Sequence, residues 1–128
     1  VVLDDASAAR DVLAPEDLVD YEPIEEGPAS LHSKPHLHYL LRERQVTDLP
    51  AALLESVASI DGAVVMDRAG RLLAFGAILR HGGGRQLHVK GGSRTTAAAA
   101  VSAYGNVLKI SEDGLVAHFA GENQIWEL

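Results

Sequence analysis

The sequence predicts an α/β or α+β domain built on one β-sheet. Three observations predict it: an amphipathic helical stripe over 48–60, an alanine-rich helical run after Gly91-Gly92, and several short strand-like runs separated by turns. The length of 128 residues suits one domain, long enough to bury a core without a metal or disulfide staple. Hydrophobic residues make up 47% and charged residues 23%, which excludes a wholly disordered or fibrous chain.

Residues 1–30 carry nine acids against one base, while 31–128 are near neutral, so the net charge of -7 describes the N-terminal segment. With Pro15, Pro23 and Pro28 also there, 1–30 reads as an acidic extension with one helical turn after Pro15, and 31–128 as the domain proper. In 48–60, Asp48 is the candidate N-cap, and Leu49, Leu53, Leu54, Val57 and Ile60 form the core-facing stripe. The period then changes. Gly62–Met66 and Arg71–Leu79 read as a hairpin around Asp67-Arg68-Ala69-Gly70. His81–Arg85 reads as a glycine loop and Gln86–Lys90 as a strand. The alanine run stops at Gly105, and Asn106–Ser111, Leu115–Ala120 and Gln124–Glu127 are the closing strands.

With no cysteine, disulfides, thiolate metal sites and cysteine nucleophiles are excluded, in keeping with a cytoplasmic protein. No apolar run approaches the ~20 residues of a membrane span, and Val-Val-Leu-Asp-Asp has none of the features of a signal peptide. The first residue is not methionine, so we read the chain as a piece of a longer or processed protein. A basic stripe with interleaved aromatics is lacking, which argues against polymeric nucleic acid and leaves room for a small anion.

Three candidate sites follow. Gly91-Gly92-Ser93-Arg94-Thr95-Thr96 enters a helix, offering free N–H groups, hydroxyls and a guanidinium fork to a phosphate; ordinary capping explains the hydroxyls equally well. Asp61-Gly62-Ala63 places an acid beside small residues that leave space for a flat ligand, although an Asp-Gly turn is commoner. The histidines of His32-Ser33-Lys34-Pro35-His36-Leu37-His38 are read as surface residues at a segment boundary, since no carboxylate or cysteine follows at metal-ligand spacing.

Asp61-Gly62-Ala63, then Gly92-Ser93-Arg94 opening an alanine helix, then Ser111-Glu112 after the next strand occur in an order that resembles the diadenylate cyclase (DAC) domain of the DisA family, over about residues 48–120. The resemblance implies a single mixed sheet flanked by helices. It also implies a nucleotide site at Asp61, Gly62, Ala63, Gly76, Gly92, Ser93, Arg94, Thr95, Thr96, Ser111 and Glu112. In that family two domains meet at the nucleotide face, and ATP with Mn²⁺ or Mg²⁺ is joined into cyclic di-AMP; Asp61 would then be the catalytic and metal-binding acid. Where the cyclases carry Arg-His-Arg, this chain has Arg94-Thr95-Thr96, without the histidine and second arginine that serve metal and triphosphate. The expectation is therefore a nucleotide, or second-messenger, sensor. The alternatives are a divergent cyclase helped by groups such as His88 or Arg85, and a structural dimerisation domain that has lost its ligand.

Overall fold

A computed structural model describes residues 1–21, 34–80 and 91–128. The strand expected at Gln86–Lys90, the glycine loop before it and His32 lie outside the described residues. The described residues form one mixed six-stranded sheet with helices. Its strands are β1 (Val2–Leu3), β2 (Ala63–Asp67), β3 (Leu72–Ala77), β4 (Gly105–Ile110), β5 (Val116–Ala120) and β6 (Asn123–Glu127), in the order β3-β2-β1-β4-β5-β6. Only β1 and β2 are parallel; the other pairs are antiparallel. The helices are α1 (Ala9–Val12), α2 (Lys34–Leu41), α3 (Ala51–Ala58) and α4 (Ser93–Val101).

The N-terminal residues are corrected most. Residues 1–21 are not an extension: β1 lies in the middle of the sheet, and Leu3, Val12, Leu13, Leu18 and Val19 are buried. Their neighbours Asp4, Asp5, Asp11, Glu16 and Asp20 stay exposed, so the segment turns its acids to water and its apolar pairs inward. The turn expected after Pro15 is a 3-10 turn, Pro15–Asp17. Beyond it, the Val19 N–H donates to the Leu73 carbonyl at 2.9 Å, which ties the segment to β3. Buried Asp17 accepts the Ile78 N–H at 3.1 Å, just past the end of β3. Asp17→Ala would remove that acceptor, and because Ile78 is exposed to water, urea unfolding should show a loss of about 0.5–1.5 kcal/mol.

Two apolar clusters sandwich the β2–β3 half of the sheet. One joins Leu3, Val12, Leu13, Val65 and Leu73 to Ala98, Ala99 and Val101 of α4, and continues to Val107 and Phe119. The other, on the opposite side, gathers Leu41 of α2 and Val57 of α3 over Leu72 and Phe75. His38 belongs here too. It is buried edge-on against Phe75, with ring centroids 4.8 Å apart, so it is not the surface histidine the sequence suggested. Helix α3 starts later than expected. Pro50, not Asp48, holds its N-cap position, because Val46–Asp48 forms a separate 3-10 turn.

The hairpin and the three closing strands fall within two residues of the ranges read from sequence. Helix α4 lies flat on the sheet through its small side chains: Ala98 and Ala99 are buried against it. Ala99→Leu should overpack this contact and lower stability by about 1–3 kcal/mol in thermal unfolding. No helix among the described residues is long and apolar enough to cross a membrane.

Candidate functional site

β4 runs antiparallel to β1 and β1 parallel to β2, so the end of β4 and the start of β2 share one edge of the sheet. The helix start of α4 comes to the same edge. There the pieces singled out in the sequence meet.

Asp61 sits where the chain leaves α3 and enters β2. The following Gly62 has φ +119°, and a Cβ on it would come within 2.5 Å of the Gly76 carbonyl carbon. Gly76 has φ +54°, and a Cβ there would meet Ile60 Cγ2 at 2.7 Å. Both positions demand glycine: each combines a left-handed backbone with a neighbour too close for a side chain. Gly62 lets the chain entering β2 pass close over the Gly76 backbone, and Gly76 leaves room for the Ile60 side chain. Ile60, placed in the core stripe by its spacing, instead covers Gly76 and is partly exposed.

Helix α4 begins with Gly92 as N-cap, with no side chain capping it. The Thr96 N–H already bonds the Gly92 carbonyl at 3.0 Å, so the first-turn donors beyond helical pairing are those of Ser93, Arg94 and Thr95. Arg94, 69% exposed, lies between two acids. Its Nη2 is 3.5 Å from Asp61 Oδ1, and its Nη1 is 3.8 Å from Glu112 Oε1. Glu112 is held by the Ser111–Gly114 turn, which the Gly114 N–H closes onto the Ser111 carbonyl at 2.9 Å. Both carboxylates are almost fully exposed, and pairs this long and wet contribute little stability. The guanidinium is therefore loosely held and easily re-partnered by a better anion.

Asp61, Arg94 and Glu112 thus come together, with Gly62 and Gly76 below and Gly92 and Ser93 at the exposed helix start. Ala63 is half-buried at the first position of β2, and Ser111 is half-buried in its turn. The two threonines point elsewhere. Thr95 is 7% exposed and packs against Gly91, on the side of α4 that carries Ala98 and Ala99. The Thr96 hydroxyl donates back to the Gly92 carbonyl at 3.3 Å.

Among the described residues no group of three His, Asp or Glu side chains is placed to hold a metal ion. Asp61 and Glu112 already share a cation in Arg94, so these residues do not fit a resident metal. A separate open cleft of about 300 Å³, lined by Arg10, Leu13, Pro15, Leu18, Asp20 and Tyr21, shares no residue with this cluster. The cleft carries Arg10 beside Asp20 and Tyr21, whereas at the cluster a guanidinium and the first-turn N–H groups of a helix converge. Compared with protein-family models, curated proteins and solved structures, the chain matches none.

Proposed function

We propose that the chain is a nucleotide-binding domain of the DAC-like type, acting as a sensor rather than a cyclase. The observation that carries this reading is the meeting of three sequence-distant pieces, Asp61-Gly62, Gly92-Ser93-Arg94 and Glu112, around one loosely held arginine. Phosphate oxygens would accept from the N–H groups of Ser93 and Arg94 and from the Arg94 fork, displacing Asp61 and Glu112. Gly62 and Gly76 let the chain pass close behind Asp61, whose exposed carboxylate would accept from a sugar hydroxyl.

Thermal unfolding in the presence of ATP, cyclic di-AMP and other nucleotides, each with Mg²⁺, tests the reading. A ligand at 100 times its Kd adds about 2.7 kcal/mol of stability and raises Tm accordingly. No shift with any nucleotide overturns it. Where a nucleotide binds, Arg94→Ala should weaken its affinity about tenfold or more in calorimetry, the effect of removing one charge-assisted contact. Unchanged affinity in a folded variant places the phosphate elsewhere.

A further inference from the structure

The sheet is covered unequally. On β4, β5 and β6 the residues under α4 are Val107, Ala117 and Phe119. On the opposite face, the cluster built by α2 and α3 takes residues from β2 and β3 and none from these three strands. There the cross-strand partners line up in rows. Leu108 faces His118, which faces Trp126; Ile110 faces Val116, which exchanges both backbone hydrogen bonds with Leu128. Directly paired residues project to one side of a sheet, so these six form a continuous patch. It is open among the described residues: Ile110 is 75% and Leu128 82% exposed, with Leu108 and Trp126 also exposed. His118 is fixed within it, its Nε2 2.9 Å from Asn106 Oδ1 and its ring tilted against Trp126 at 5.4 Å.

We propose that this face closes on the same face of a second copy of the chain, giving a two-fold dimer packed sheet on sheet. The rows contain no Asp, Glu, Lys or Arg, although charged residues make up 23% of the sequence. An uncharged face offers nothing to a partner selected by opposite charge, whereas it is complementary to itself. Two copies carrying -7 each repel, and the side chains of this patch bring them together without adding like charges at the contact. The leucines, isoleucine and tryptophan expose an apolar area on the order of 400 Å², the size at which patches on soluble proteins mark partner sites. A patch of this size sits at the lower limit for a specific contact, so the dimer is a weak one. Twisted sheets packing at about 10 Å allow the two faces to interleave around the His118 row.

Sedimentation of the 128-residue chain across about 5–500 µM tests this at physiological salt, where charge repulsion between copies is screened. A reversible monomer–dimer equilibrium is expected. Leu108→Glu and Ile110→Glu should each raise Kd at least tenfold, since every added carboxylate is desolvated and duplicated by the symmetry, with Tm unchanged because both side chains are exposed. A monomer throughout the range overturns the proposal. So does a dimer that survives both substitutions, or one abolished by Arg94→Ala, which would put the contact at the Asp61–Arg94–Glu112 edge.

Discussion

Gly105→Ala should lower stability by at least about 3 kcal/mol, enough to move Tm down by roughly 10 °C in a domain of this size. The added Cβ would fall on the Val2 carbonyl oxygen, with Leu3 Cα at 2.9 Å and Asp4 N at 3.0 Å. All three are backbone atoms, so no side-chain rotation relieves the clash. Nor can β1 retreat. The Met66 N–H donates to the Val1 carbonyl at 3.0 Å on one side, and the Asp4 N–H donates to the Tyr104 carbonyl at 2.9 Å on the other. The strand has only two residues, and it joins β2 to β4. Losing it would divide the sheet into the β2–β3 hairpin and the three-stranded β4–β5–β6 unit, and expose Leu3, which is fully buried. A domain stable by 5–15 kcal/mol would give up a large part of its margin. Equilibrium unfolding in urea measures the loss; a midpoint within error of the parent would show that β1 is not held as described.

Gly105 also shows where sequence reading stops. Its place after an alanine helix marks it as a helix terminator, and the chain does leave α4 there through a 3-10 turn, Ser102–Tyr104. The need for glycine comes instead from a strand a hundred residues earlier, which local pattern does not contain. The same limit explains the misread N-terminus. In Val-Val-Leu-Asp-Asp and in Leu18-Val19, two or three apolar residues among many acids give no measurable period, so composition spoke louder than burial. The hairpin and closing strands were legible because alternation and Asp-Gly or Gly-Glu-Asn turns act locally. The candidate site was legible in part. Order along the chain singled out Asp61, Arg94 and Glu112, whereas the inward side of α4, which takes Thr95, depends on how the helix docks.

If the chain is the nucleotide sensor proposed above, ATP bound to it should remain unconverted, with any cyclic di-AMP formed at least ~10²-fold more slowly than by a working DAC domain. Joining two ATP molecules requires a metal to gather the triphosphate, a group to take the 3′-hydroxyl proton, and positive charge on the departing pyrophosphate. Asp61 is an exposed carboxylate suited to the proton. The one cation at the described cluster is Arg94, and two carboxylates within 4 Å already offset its charge. The position where the cyclases carry histidine is Thr95, which is buried against the sheet side of α4. An imidazole there would overpack the core rather than reach a phosphate. Thr95→His with Thr96→Arg should therefore lower stability by about 1–3 kcal/mol and yield no product. Incubation with ATP and Mn²⁺ or Mg²⁺, followed by mass detection of cyclic di-AMP, checks both statements. Robust product from the unmodified chain replaces the sensor by a divergent cyclase. Product from the double variant alone would mean that α4 can turn its first residues outward, leaving a cyclase scaffold that lacks only those two side chains.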